Sequence, residues 1–431
     1  MQFERPRGTR DYLPEECEER RIVIERIRRV FENYGYGEVI TPAFEHLELL
    51  TAKAGEEVVD QIYAFNDKAG RKLGLRFELT TPIARIVAER IDLPKPIKFY
   101  YIQPVWRYEE PQRGRLREFW QAGVELMGVS GVPGDAEVIA VMINTLRRAG
   151  LSKFTVHVND RRVIQGLLDW AGISYEQMPL ALRIIDKLEK YGVEYVEKGL
   201  NALVKDTTRL KGFIEYLTSN DPLSMTYEGL GHTAKQGIES LRELLDELDE
   251  GYGLSSYLKL DFSIVRGLDY YTSLVYEAKT PLGGEIGSVA GGGRYDDLVQ
   301  MIGGPPIPAT GMAIGIERLI ETLKVESKPK VLGNRRGVIL IPVSEEFRRA
   351  AITVAEKLRD HDIISVVDFS GRRIASSLEI ADKQGYRYAV IVGKREIESG
   401  QLTLRDLDRW VEKKVSMEQL LKELANCTTL I

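Results

Sequence analysis

The chain has 431 residues, with 60 Lys and Arg against 65 Asp and Glu, for a formal net charge of −5. Its 43% hydrophobic and 29% charged residues are those of a globular protein, which excludes a disordered or fibrous chain. There is no apolar run of about 18 residues, so no membrane span is expected, and mild acidity argues against a purely electrostatic nucleic-acid binder while leaving room for local basic surfaces. Two cysteines, Cys17 and Cys427, and four scattered histidines, His46, His157, His232 and His361, cannot make a disulfide framework and argue against a zinc centre. The N-terminal segment MQFERPRGTR is too charged for a secretory signal, so a cytoplasmic protein is expected. The length predicts two to four domains at roughly 100–200 residues each.

Residues 14–34 read as a helix. Pro14 suits a first helical position, and Val23, Ile27, Val30 and Tyr34 recur at helical spacing. Gly35 ends it, and Tyr36–Ile40 is a short strand that stops at Thr41-Pro42. In LRFELTTP (75–82), alternation places Arg76, Glu78 and Thr80 on one strand face, where Glu78 could hold an ammonium; taken alone, an exposed strand face explains the pattern better. Thr81-Pro82 then opens a helix to about Arg90.

The segment from Phe99 to Leu126 reads as strand, polar loop, strand. In the second strand Trp120, Ala122, Val124 and Leu126 face one way, and Phe119, Gln121, Gly123 and Glu125 the other. An amide and a carboxylate flanking a glycine look like a pocket wall, or else a solvated face. The first strand ends in Arg107, and the loop carries Arg113, Arg115 and Arg117 among Glu109 and Glu110. Guanidiniums present planar forks that match phosphate oxygens.

Residues 176–250 are rich in Leu, Glu and Lys and read as a helical insertion. Glycine-rich strands return from 258 to 315. VRGLDYYTSLVYE (265–277) places two tyrosines at a strand start, and AGGGRYDDL (290–298) has glycines that let backbone approach a small ligand. Neither a dinucleotide-fold nor a P-loop spacing occurs. In TGMAIGIERL (310–319) a strand runs into a helix with Arg318 in its first turn, a combination suited to a polyphosphate. The polar stretch 326–336 reads as a linker. Beyond it a compact α/β pattern follows: strand 338–343, helix 345–360, strand 363–367, helix 372–384 and strand 388–392, which predicts a parallel sheet.

Taken together and in this order, these elements resemble the three motifs of class II aminoacyl-tRNA synthetases. RGLDYY (266–271), AGGGRYD (290–296) and the loop PQRGRLREF (111–119) are similar to motifs of the histidyl-tRNA synthetase family. The resemblance implies an α+β fold: a class II antiparallel-sheet catalytic domain over 1–325 with its helical insertion at about 176–250, a linker at 326–336, and an α/β anticodon-binding domain at 337–427. It implies activation of L-histidine with ATP and transfer of the histidyl group to the 3′ end of tRNA(His). By the same resemblance Arg107, Arg266 and Arg318 are catalytic, Arg266 being a fixed cation at the α-phosphate. Glu109, Arg115 and Phe119 join Arg107 and Arg318 in binding ATP, with Mg²⁺ on the outer phosphates. Glu78, Leu79, Thr80, Gln121, Glu125, Tyr270 and Tyr271 line the histidine site together with Arg107 and Arg266. Glu125 and Tyr271 bond the two imidazole nitrogens, and Gln112 approaches the tRNA end. The helix 14–34 and Pro42 match the family's dimer element, implying a homodimer. One further protein resembles this family: a non-catalytic regulatory subunit of ATP phosphoribosyltransferase, which typically lacks the anticodon domain. Across 371–395 there are six Lys or Arg and two Asp or Glu, a local basic patch that suits phosphates.

Overall fold

The computed structural model describes residues 3–52, 59–112, 114–204, 208–219, 221–225, 229–265, 270–281, 287–326 and 337–425. The chain forms two compact units, Met1–Lys328 and Pro329–Ile431.

The first unit is built on an eight-stranded sheet. In spatial order its strands are Gly37–Glu38, Ile97–Trp106, Glu118–Met127, Ala309–Gly315, Ala290–Arg294, Leu274–Lys279, Thr155–Asp160 and Leu258–Leu260. The six central strands pair antiparallel, and only the two short edge strands join in parallel. The period-2 pattern of the Glu118–Met127 strand sorts its side chains between two cores. Ala122, Val124 and Leu126 enter the larger one, with helices Pro14–Asn33 and Val132–Ala149. Met127 joins Tyr101, Val105, Leu79 and Ile83 in a second cluster on the opposite face.

Helix Pro14–Asn33 begins at the expected proline, and its buried stripe is Val23, Ile27, Val30 and Phe31. Tyr34 falls beyond the last turn and is half-buried, so Phe31 takes the core position expected of it. Among the described residues, five helices of four or more residues lie between Met178 and Asp246, and their apolar faces, among them Ala181, Leu200 and Phe213, pack into the larger core.

The reading of Arg76, Glu78 and Thr80 as one exposed strand face is corrected, while the helix expected from Thr81-Pro82 is present. The strand Lys72–Leu75 belongs to a separate three-stranded sheet, and the helix Thr80–Glu89 starts directly after a four-residue turn. The N-cap residue is Leu79, and the carboxylate of Glu78 just before it accepts from the backbone N–H of Thr80 at 2.5 Å and of Thr81 at 2.9 Å. These are two of the donors that a helix start leaves unmet. Arg76 is thereby parted from Glu78: its Nη1 donates to Thr41 O at 2.6 Å and Gln103 Oε1 at 2.9 Å, bolting the Thr41-Pro42 turn to the sheet. Its burial brings the guanidinium down to about 10.

The second unit holds a five-stranded sheet in the order Ser365–Val367, Val338–Pro342, Tyr388–Val392, Leu402–Asp406, Val411–Val415. The first three strands are parallel, as expected, and two antiparallel strands extend the sheet. Helices Arg348–Arg359 and Met417–Ala425 cover one face and Ile374–Lys383 the other.

Candidate active site

The register of the large sheet lines up residues on the face opposite the larger core. One row runs Glu125, Gly311, Gly293, Val275, Asn159, and the next runs Gly123, Ala313, Gly291, Glu277, His157. Glycines dominate the middle of this floor for a steric reason. A Cβ on Gly311 would lie 1.8 Å from Glu125 Oε2, one on Gly123 would lie 2.4 Å from Tyr101 Oη, and one on Gly293 would lie 2.7 Å from the Tyr271 ring. The missing side chains are the space in which a carboxylate and two phenols converge.

At the centre stands Glu125, 1% exposed. Its Oε1 accepts from Thr80 Oγ1 at 2.7 Å, and its Oε2 accepts from the Tyr295 hydroxyl. Burial pushes this carboxyl up to about 8, with hydroxyl donation from Tyr295 and Thr80 opposing the rise and the nearby Glu78 charge adding to it. Burial also raises Glu78. Tyr270 and Tyr271 close the pocket, their rings 4.8 Å apart, and Tyr270 meets Tyr295 edge-on at 5.7 Å. Both tyrosines of the 270–271 pair are buried, so neither is the exposed partner that a strand start would allow. Gln121 Oε1 is buried with no hydrogen-bond partner among the described residues. A buried acceptor left unmet costs roughly 1–3 kcal/mol, which a ligand donor would recover.

Beside this pocket lie the cations. Arg107 Nε donates to Phe77 O at 2.9 Å, and its guanidinium sits 5.2 Å from the Phe119 ring centroid. Glu109 faces both Arg107, at 3.8 Å, and Arg115, at 3.6 Å. Arg318, in the first turn of helix Ile316–Glu326 as expected, donates to Gly114 O at 3.2 Å and Ser288 O at 3.0 Å. Burial first, and then the charges of Arg115 and Arg107, bring Arg318 down to about 10. Three guanidiniums close enough to disfavour one another's charge make a site that gains when an anion enters. Arg117 is not part of it: it donates to Glu109 O at 3.0 Å and stacks over Tyr108. Gln112 pairs with Arg115 through backbone at the loop tip.

Arg266 and Arg113 lie outside the described residues. Glu78, Leu79, Thr80, Gln121, Glu125, Tyr270 and Tyr271 are all brought together on the floor's glycine face, and Arg107, Glu109, Arg115, Phe119 and Arg318 gather next to them. Trp120 points away, as alternation requires, with Arg20 stacked on it at 4.9 Å and its backbone N–H given to Glu317. Sequence reading missed Tyr101 and Tyr295. Their hydroxyls reach Glu125 only through strand pairing, although Tyr295 stands inside the singled-out AGGGRYD.

An antiparallel sheet with a buried carboxylate pocket and converging arginines on one face is the build of class II aminoacyl-tRNA synthetases. The family model for histidyl-tRNA synthetase matches residues 8–319, and that for an anticodon binding domain matches 337–426. The chain is 43% identical over 437 residues to the histidine–tRNA ligase of Thermococcus kodakarensis, covering 98% of each. It resembles the crystal structure of histidyl-tRNA synthetase from Nostoc sp. PCC 7120, with a TM-score of 0.85, 27% identity and 99% of both chains covered. A Bacillus halodurans structure described as an ATP phosphoribosyltransferase regulatory subunit/histidyl-tRNA synthetase matches at a TM-score of 0.76 and 28% identity, over 91% of this chain and 98% of that one. The chain belongs to the histidyl-tRNA synthetase family.

Proposed function

We propose that this enzyme ligates L-histidine to tRNA(His) in two steps. The histidine carboxylate attacks the α-phosphorus of ATP in line, forming histidyl-adenylate as the bond to pyrophosphate breaks. The terminal ribose hydroxyl of the tRNA then attacks the adenylate carbonyl, and AMP leaves. Neither step needs a protein nucleophile; placement and charge neutralisation carry both. The observation that carries the reading is the juxtaposition, on one sheet face, of the Glu125 pocket and the Arg107–Arg115–Arg318 cluster.

In this reading Arg107 neutralises the α-phosphate, Arg115 and Arg318 hold the outer phosphates, Phe119 stacks on adenine and Glu109 bonds it. Arg266 acts as a second cation at the α-phosphate. Glu78, Thr80 and Gln121 receive the α-ammonium, with Leu79 and Tyr270 lining the site. Glu125 and Tyr271 bond the imidazole, which when neutral has one donor and one acceptor nitrogen. A site that pairs both rejects analogues lacking them by roughly 10⁴–10⁵, so no editing domain is needed. No cluster of three or more metal-ligating side chains occurs among the described residues. That suits Mg²⁺, which binds largely through substrate phosphates and water with one or two carboxylates. Glu277, on the floor row and hydrogen-bonded by Ser288 Oγ at 2.6 Å, is the carboxylate suited to that position.

The 337–427 domain is assigned to the anticodon, its 371–395 basic patch meeting phosphates, and the 176–250 insertion to the acceptor arm. Gln112 is assigned to the tRNA end. A cytoplasmic homodimer joined through the 14–34 helix and Pro42 completes the reading. The anticodon-domain match weighs against the regulatory-subunit alternative. ATP–pyrophosphate exchange, run with each of the twenty amino acids and no tRNA, tests the whole. Exchange with histidine alone is expected. Silence with all twenty from folded, histidine-binding protein would overturn it in favour of the regulatory subunit.

A further inference from the structure

The geometry points to Tyr295 as a positioning residue for histidine selection, one that holds Glu125 as a fixed hydrogen-bond acceptor without itself touching the substrate. The inference rests on the reading of Glu125 as the imidazole partner. Tyr295 is 1% exposed, and its hydroxyl donates to Glu125 Oε2 while Thr80 Oγ1 donates to Oε1. The two donors come from different elements: Thr80 opens a helix, and Tyr295 follows the Ala290–Arg294 strand. Together they bond both oxygens and set the carboxylate plane, and with the weaker donation from Tyr101 they still leave acceptor capacity for a ligand. Gly311 supplies the room on the Oε2 side, where even a methyl would collide.

The position of Tyr295 is itself secured. Its backbone N–H donates to Ala309 O at 2.8 Å. The preceding Arg294 is locked by Asp135 at 2.8 Å, Asp296 at 3.0 Å and the carbonyl of Gly131 at 2.7 Å. A phenol held this firmly at a carboxylate favours the charged form, the form that can accept from an imidazole N–H.

The other polar groups facing Glu125 act as follows. Thr80 donates, and Glu78 beside it opposes ionisation by its charge. Tyr101, from the Ile97–Trp106 strand, adds a weaker donation. Tyr270, from the 270–273 segment, is kept neutral by burial, and Tyr271 beside it is buried as well. With burial pressing the Glu125 carboxyl upward, loss of the Tyr295 donor moves its titration to still higher pH.

The test is histidine-dependent pyrophosphate exchange by full-length Tyr295→Phe between pH 6.5 and 9.5, with far-UV circular dichroism as the check on folding. The readout is the ratio of variant to wild-type KM for histidine, in which the substrate's own ionisations cancel. The ratio is expected at roughly tenfold near neutral pH, since one unit of carboxyl shift is a factor of ten, and to fall to about twofold or less above pH 9. KM for ATP stays within about twofold, since the phosphate site is separate. A pH-independent ratio, or none, overturns the proposal. Glu125→Gln separates this failure from failure of the underlying reading: if it leaves histidine KM unchanged, Glu125 is not the imidazole partner at all. Should Tyr295→Phe not fold, 3-fluorotyrosine at position 295, a stronger donor of the same shape, must shift the inflection in histidine KM to lower pH. No shift, or a shift upward, sinks the idea.

Discussion

Gly311→Ala puts the steric account of the floor to a direct test. The new methyl would sit 1.8 Å from Glu125 Oε2 and 2.7 Å from the backbone oxygen of Val124. Reaching ordinary contact at 3.4 Å requires the carboxylate to retreat by about 1.6 Å. That retreat breaks the Tyr295 hydrogen bond, and the Val124 oxygen cannot follow without parting two strands. Overpacking costs roughly 1–3 kcal/mol, and the unmade hydrogen bond at a buried site a similar amount, so the total is roughly 2–6 kcal/mol. The expected result is a lowered melting temperature and a histidine KM raised at least about tenfold in pyrophosphate exchange, with KM for ATP nearly unchanged. Gly315→Ala is the control, because its methyl would meet nothing nearer than Arg318 at 3.8 Å, and its stability should stay within about 1 kcal/mol. Folded Gly311→Ala with wild-type histidine KM would refute the claim that this glycine makes room for the carboxylate.

Three further predictions address other parts of the molecule. Arg318→Gln should raise KM for ATP by about tenfold or more while histidine binding, measured by calorimetry, is retained; equal losses for both ligands would contradict the separation of the two subsites. Arg294→Met strips the buried Asp135 of its partner and should destabilise by roughly 3–5 kcal/mol, whereas adding Asp135→Leu should recover most of the loss in thermal melts. Asp261 is held down to about 2: burial opposes this, but hydrogen bonds from His157 at 2.7 Å and from Ser263 outweigh it. A lowered carboxyl contributes stability that is complete above the ordinary 3.8 and lost as pH falls through about 2, so wild type should lose about 2 kcal/mol across that window. Asp261→Asn should flatten the acid limb by that amount, and an unchanged limb would disprove the assignment.

What the sequence made legible follows from range. Alternation over 118–127 sorted Trp120 from Gln121 and Glu125 correctly, because side-chain direction along a strand is a local property. The Pro14 helix start and the placement of Arg318 in a first turn were likewise local. The turn at 76–79 was misread because the same alternating residues serve a cap: Glu78 reaches forward to two amides, which period-2 counting cannot see. The donors to Glu125 and the partner of Arg294 were hidden for another reason. Tyr295 is 170 positions from Glu125, and Arg294 is 159 from Asp135, so strand register in the first case and the packing of helix Val132–Ala149 on the sheet in the second bring them together. The recognisable motifs thus named residues that line the pocket, while Tyr101, Tyr295 and Asp135, which hold others in place, stayed unseen.

The glycine floor also bears on how the specificity of this pocket can change over generations. A pocket walled by Leu or Val can be reshaped one methylene at a time. At Gly311, Gly123 and Gly293 the smallest available substitution already collides with the carboxylate or the phenols. Inherited variation at these positions therefore has no shallow slope to explore. A lineage that came to accept another amino acid would have to exchange Glu125 or a tyrosine first and a glycine afterwards, an ordering imposed by geometry before selection has any say.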